Sequence, residues 1–175
     1  CKILEELFIK PKKYILATVH RQENTDIKEN LENIFKAFEQ INEPIIYPIH
    51  PRTKKYLKVY KFNSWIQKIS HLHLIEPVGF LEMMVLENNA KMILTDSGGV
   101  QKEAYWAKVP CITLRNETEW TETVQSGWNK LAGTDVGKIV KLTKNFSPPK
   151  THPNYFGDGR AYQKISKIIK DFLTH

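Results

Sequence analysis

Met92-Ile93-Leu94-Thr95-Asp96-Ser97-Gly98-Gly99-Val100-Gln101-Lys102-Glu103 decides the fold of this chain. Met92-Ile93-Leu94 is a short apolar run without polar alternation, the pattern of a strand buried on both faces. Beyond the Ser-Gly-Gly turn, Val100, Ala104 and Ala107 recur on neighbouring helical turns. The chain therefore leaves a buried strand, turns tightly and enters a helix. A helix start of this kind presents unpaired backbone N–H groups and the positive end of the helix dipole to an anion. Glycine at 98 and 99 lets a phosphate approach the backbone with no side chain between. Glu103 follows about one helical turn later, placed to accept hydrogen bonds from the paired hydroxyls of a sugar. Read locally, Ser97, Gly98, Gly99 and Glu103 form a nucleotide-diphosphate site. The competing reading is a strand-to-helix turn in which Asp96 or Ser97 is an ordinary helix cap.

The same alternation extends in both directions. Apolar runs at 14–19, 45–49, 72–75, 91–95 and 111–114, with a short one at 129–132, read as strands. Helical spacing at 31–41, 54–60, 81–88, 100–107, 121–126, 136–143 and 161–173 fills the gaps. This order predicts an α/β fold: a Rossmann-like parallel sheet with helices on both faces. Ligands of such sheets lie beyond the carboxyl ends of the strands, near the point where strand order reverses. The polar, special residues cluster at those ends: His20-Arg21, His50-Pro51-Arg52, Asp96 to Gly99, and Arg115-Asn116-Glu117. A turn-rich connector, 147–159, leads to the last helix, with Asp158 as its expected cap.

The 175 residues suffice for one well-buried domain. Hydrophobic content of 41% against 26% charged residues is that of a soluble globular protein. No run approaches the roughly 20 apolar residues that cross a membrane, and no signal-peptide pattern opens the chain, so no membrane partner is expected. The net charge of +7 admits nucleic acid, an anionic surface or a small phosphorylated ligand. No zinc-finger spacing or RRM-like aromatic motif is present, so nucleic acid is not expected. Lys164, Lys167 and Lys170 share one helical face, read as solvated. Cys1 and Cys111 form no spacing motif; Cys111 lies in a buried strand, and a reducing cytoplasm fits. The histidines and acids show no metal-ligand spacing, so neither metal nor other cofactor is expected. The chain opens without methionine on Lys2 to Phe8, which reads as the end of a helix, and a piece of a longer protein is expected.

Five segments carry a family resemblance: Ala17-Thr18-Val19-His20-Arg21-Gln22-Glu23-Asn24; Tyr47-Pro48-Ile49-His50-Pro51-Arg52; Ile93 to Ala104; Thr118-Glu119-Trp120-Thr121-Glu122; and Tyr155-Phe156-Gly157-Asp158-Gly159-Arg160-Ala161. In this order and spacing the chain resembles the C-terminal half of the non-hydrolysing UDP-N-acetylglucosamine 2-epimerases. That family has two Rossmann-like domains in the arrangement called GT-B, with the nucleotide sugar in the cleft between them. The resemblance implies that this chain is the UDP-binding domain and that the N-terminal domain of the same protein is its partner. It also implies a UDP-sugar substrate and a homodimer at full length.

The implied reaction inverts C2 of the sugar by elimination and re-addition of UDP. His20 is implied near the diphosphate as the catalytic group, Ser97, Gly98 and Gly99 on the phosphates, and Glu103 on the ribose. Met83 stands where many members place an aromatic residue in the base pocket. Arg21 and His50 stand where some bacterial relatives bind a second, activating UDP-sugar. Most of the acid–base carboxylates are implied to come from the other domain. Trp120 replaces an arginine common in the family, a pattern resembling branches that use diacetamido sugars. The rival expectations are a GT-B glycosyltransferase and a non-catalytic UDP-sugar-binding module.

Overall fold

The computed structural model describes residues 2–173; Cys1 lies outside them. Six strands form one fully parallel sheet: β1 Ile15–Thr18, β2 Ile45–Pro48, β3 Leu72–Ile75, β4 Met92–Thr95, β5 Cys111–Thr113 and β6 Asn129–Leu131. Their spatial order is β3-β2-β1-β4-β5-β6. The chain winds outward from β1 in one direction, then returns to build outward in the other, so the switch point lies between β1 and β4.

The strands read as unbroken apolar runs because both faces are covered. Ile15, Ala17 and Val19 point to one layer and Tyr14 and Leu16 to the other, all fully buried. The first layer contains α3 Lys28–Gln40, α4 Pro51–Val59, α5 Asn63–Ile66 and α9 Val136–Asn145. The second contains α1 Ile3–Glu6, α6 Phe80–Asn89 and α7 Gly98–Trp106. Two short helices, α2 Gln22–Thr25 and α8 Thr121–Gln125, follow the ends of β1 and β5, and α10 Ala161–Leu173 closes the described chain. Among the described residues no helix is long and apolar enough to cross a membrane.

Two differences from the sequence reading have local causes. Helix α4 starts at Pro51 rather than at 54, because His50 Nδ1 accepts the Arg52 N–H at 3.1 Å and proline at the first helical position needs no N–H partner. Helices α2 and α5 span four residues each, too short to generate a helical period. Cys111 is buried on β5, between β4 and β6, where loss of solvation pushes its thiol up to about 12. The lysines of α10 are exposed, as is the helix's apolar stripe of Tyr162, Ile165, Ile168, Ile169, Phe172 and Leu173. Asp158 Oδ1 accepts the Arg160 N–H at 3.0 Å, one residue ahead of α10.

The end of β1 is clamped before the chain turns toward His20. Val19 C=O accepts the Tyr47 hydroxyl at 2.6 Å and also the Thr53 hydroxyl. With two donors on one buried carbonyl, either alone keeps it satisfied. Tyr47→Phe or Thr53→Val alone should cost about 1 kcal/mol, while the double substitution leaves the carbonyl bare and should cost about 1 kcal/mol more than the sum. Urea unfolding of the three variants measures this; simple additivity would contradict the shared-acceptor arrangement.

Candidate functional site

The register Thr18↔Thr95 brings the ends of β1 and β4 level, and the two hydroxyls bond each other at 2.6 Å. The next residues on each strand therefore face one another across the switch point. Asp96 is fully buried there. Its carboxylate accepts the backbone N–H of His20 at 3.0 Å to each oxygen and that of Arg21 at 2.9 Å. The Asn24 amide donates to it at 3.1 Å and also to Leu114 C=O at 2.9 Å, tying in the end of β5. Asp96 is thus a bracket between two loops, and Ser97 is the residue that caps α7, its Oγ accepting the Val100 N–H at 3.5 Å.

With Ser97 as cap, the amides of Gly98 and Gly99 occupy the first positions of α7, where no intrahelical acceptor exists. The two glycines answer to different constraints. A Cβ on Gly98 would sit 2.3 Å from Glu119 Oε1 and 3.2 Å from Trp120 Nε1, so any side chain there displaces the Glu119 carboxylate and presses on the Trp120 ring. A Cβ on Gly99 would meet only Ser97 Oγ, at 3.8 Å. Packing is indifferent to a side chain at 99, and the open space there suits an anion.

His20 stands beside this turn, its ring one-third exposed, with Nδ1 3.9 Å from Asp96 Oδ1. Burial lowers its pKa; the Asp96 carboxylate pulls the other way, and the neighbouring His50 and Arg21 add to the lowering. The ring is therefore mostly neutral at neutral pH, and a bound anion would draw a proton onto it. His50 stacks near it, ring centroids 5.1 Å apart and tilted by 33°. Thr18, Val19, His20, His50, Met83 and Val100 share a cleft of about 180 Å³ with Pro77 and Val78. Met83 thus lies beside His20, whereas Glu103 opens into a neighbouring cleft with Phe80, Met84 and Trp106. Val100 and Glu103 lie on successive turns of one face of α7, so the two clefts adjoin across it.

Arg21 points away from His20 toward Glu119, at 3.7 Å. Arg115 holds Glu119 at 2.9 Å and Glu23 at 2.8 Å, the latter contact an ion pair whose N–H is not aligned for a hydrogen bond. Glu119 hydrogen-bonds its own backbone N–H and then Arg115, and its carboxyl is held below the usual glutamate range. The Trp120 indole N–H is buried without a partner next to Gly98, and Lys102 Nζ lies 4.3 Å over the Trp120 ring. A roomier cleft, about 820 Å³, lies elsewhere, between Leu7–Ile9 and β3, and contains none of these groups.

The structure thus brings His20, Ser97, Gly98, Gly99, Met83 and His50 to one rim, with Glu103 one helical turn further. Arg21 faces the Glu119 side of the same turn. Sequence reasoning missed the bracket role of Asp96, read only as a potential cap, and the Asn24 strut. An Asp preceding a Ser that could itself cap was the available signal.

The geometry agrees with the chain's likeness to known proteins. The family model described as UDP-N-acetylglucosamine 2-epimerase matches residues 1–170. A Methanococcus maripaludis protein named as a UDP-N-acetylglucosamine 2-epimerase homolog is 60% identical over 97% of this chain and 48% of its own length. A Pseudomonas aeruginosa UDP-2,3-diacetamido-2,3-dideoxy-D-glucuronate 2-epimerase is 38% identical over 89% of this chain and 44% of its own length. The crystal structure of the Methanocaldococcus jannaschii UDP-GlcNAc 2-epimerase, in complex with UDP-GlcNAc and UDP, superposes with a TM-score of 0.83 at 46% identity, covering 90% of this chain and 45% of that one. This chain therefore spans about half the length of these relatives.

Asp96→Asn keeps the shape but turns an amide N–H toward two backbone N–H groups. It should lower stability by about 2–3 kcal/mol, the scale for hydrogen bonds to a buried charge. It should also release the His20 turn: losing the Asp96 charge alone would lower the ring's NMR titration further, so a rise toward the ordinary histidine value reports release of the ring from burial. A stable variant whose His20 titration only falls would show that the bracket does not hold the turn.

Proposed function

The chain belongs to the UDP-N-acetylglucosamine 2-epimerase family, and from that premise we propose that it is the UDP-binding half of a UDP-sugar 2-epimerase. The single observation that carries this reading is the joining of two loops by Asp96. They place a glycine-lined helix N-terminus and a histidine at one switch point. A diphosphate there would take the amides of Gly98 and Gly99 and the Ser97 hydroxyl, in the field of the α7 dipole. Glu103 would accept the two ribose hydroxyls, and the cleft bounded by Pro77, Val78 and Met83 would take the base. His20 would carry a proton once the diphosphate is beside it and would stabilise charge on departing UDP, as the helix N-terminus does without protonation.

The substrate we infer is UDP-N-acetylglucosamine, inverted at C2 to the manno epimer by loss and re-addition of UDP. Proton removal and return at C2 require carboxylates on both faces of the sugar ring. Glu23 and Glu119 are tied to Arg115 here, so we assign that work to the rest of the full-length protein. The exposed apolar stripe of α10 suits packing against that other half, which we take to be N-terminal in a GT-B arrangement. A cytoplasmic setting suits a free, buried thiol such as Cys111.

Calorimetry with UDP and UMP tests the phosphate assignment. UDP should bind more tightly, because its second phosphate meets the helix N-terminus; equal or better binding of UMP would sink it. Glu103→Gln should weaken UDP binding by about tenfold or more, since charge-assisted hydrogen bonds to two hydroxyls are worth roughly 1.5–3 kcal/mol each in a dry site. A lowered Tm with unchanged binding would instead mark Glu103 as structural.

In the full-length protein, His20→Ala should slow turnover by about 10²–10⁴, with a smaller loss of UDP affinity. Wild-type turnover with a raised KM would reassign His20 to uniform binding.

A further inference from the structure

Glu87 is an acid in the wrong place for an ordinary helix. It lies near the end of α6, only 2% exposed, between the fully buried Leu86 and the α7 side of the second core layer. Its Oε1 is buried without a hydrogen-bond partner, and its carboxyl group meets that of Glu103 from α7. Both line the cleft between α6 and α7, with Phe80, Met84, Asn88 and Trp106 around them.

Two carboxylates in contact cannot both be ionised in an apolar cleft, and a hydrogen bond between them needs one proton. The more buried partner keeps that proton, because charging it costs more solvation. No ion pair to either glutamate is found among the described residues. Lys12 is occupied with the Asn88 and Ala90 carbonyls, at 2.8 and 3.0 Å. The Tyr14 hydroxyl donates to Leu86 C=O at 2.6 Å. Cys111, on β5 beneath, is a neutral thiol at ordinary pH.

We infer that Glu87 is a positioning residue for the ribose-binding carboxylate: as a neutral acid it donates a hydrogen bond to Glu103 and directs it into the nucleotide cleft. This rests on the assignment of Glu103 to the ribose. The donor arrangement is a device the mechanism otherwise lacks, since among the described residues no cation pairs with Glu103. Glu103's two oxygens serve different ends, one accepting from Glu87 and the other free for the diol.

The arrangement has a built-in pH limit. Burial, with the charge of Glu103 added, pushes the Glu87 carboxyl up to about 8. Below that value the donor is in place. As pH rises through it, Glu87 ionises, repels Glu103 and weakens diol binding. The folding linkage has the same origin. Unfolded Glu87 ionises in the ordinary glutamate range, so the folded state loses stability as pH rises from there to about 8 and changes no further above it. Glu87→Gln removes this slope while retaining an N–H that can donate to Glu103.

UDP binding measured calorimetrically from about pH 7 to about pH 9.5 tests the inference, with wild-type protein, Glu87→Gln, Glu87→Leu and Glu103→Gln. Wild-type affinity should fall by about tenfold across that range. Glu87→Gln should match wild type at the low end and remove that fall. Glu87→Leu should bind about tenfold more weakly throughout, having no donor. A Glu87→Gln variant with the wild-type pH profile, or a Glu87→Leu variant with wild-type affinity, would overturn the positioning role. Wild-type UDP affinity in Glu103→Gln would instead overturn the ribose assignment itself. If Glu87→Leu fails to fold, the comparison of wild type with Glu87→Gln decides the matter alone.

Discussion

A single buried carboxylate holds the site together. Asp96 is fully buried and pairs chiefly with dipoles, the His20 and Arg21 amides and the Asn24 side chain, with the His20 ring at the edge of ion-pair range. A charge so placed is tolerable only while those donors are present. The dependence is mutual: the loop after β1 keeps its shape because it solvates Asp96, and β4 can end in an aspartate because that loop is there. The Thr18–Thr95 hydroxyl pair and the twofold clamp on Val19 set the register at which the two loops meet.

In the proposed site, affinity for an anion would not come from the chain's surplus of positive charge. Arg115 is committed to Glu23 and Glu119, and Arg21 reaches Glu119 as well. What points at the turn is backbone: two glycine amides at the head of α7, beside a His20 whose burial lowers its pKa. A neutral histidine and a helix dipole can respond to charge as it develops, whereas a fixed lysine would hold substrate and product alike.

Much of this was legible in the sequence, for reasons that also mark its limits. All six strands showed as apolar runs, the sixth a short one, because a parallel sheet is covered on both faces, and the Ser97-Gly98-Gly99 turn into α7 showed because its glycines break a strong strand-to-helix pattern. The four-residue helices α2 and α5 were invisible, since one turn has no period. Asp96 could be read as a cap, but its reach across to His20 is a product of the Thr18↔Thr95 register, which no local pattern encodes. Glu87 in Leu86-Glu87-Asn88 reads as a solvated helical acid; its burial follows from how α6 packs on α7. The clefts of Met83 and Glu103 likewise separate only in three dimensions.

A crystal structure of the chain with UDP tests the central claim most directly. The account predicts β-phosphate oxygens on the amides of Gly98 and Gly99, with His20 within hydrogen-bonding reach and its amide still held by Asp96. A diphosphate bound elsewhere, for instance in the large cleft between Leu7–Ile9 and β3, or bound at α7 with the His20 turn detached from Asp96, would contradict it.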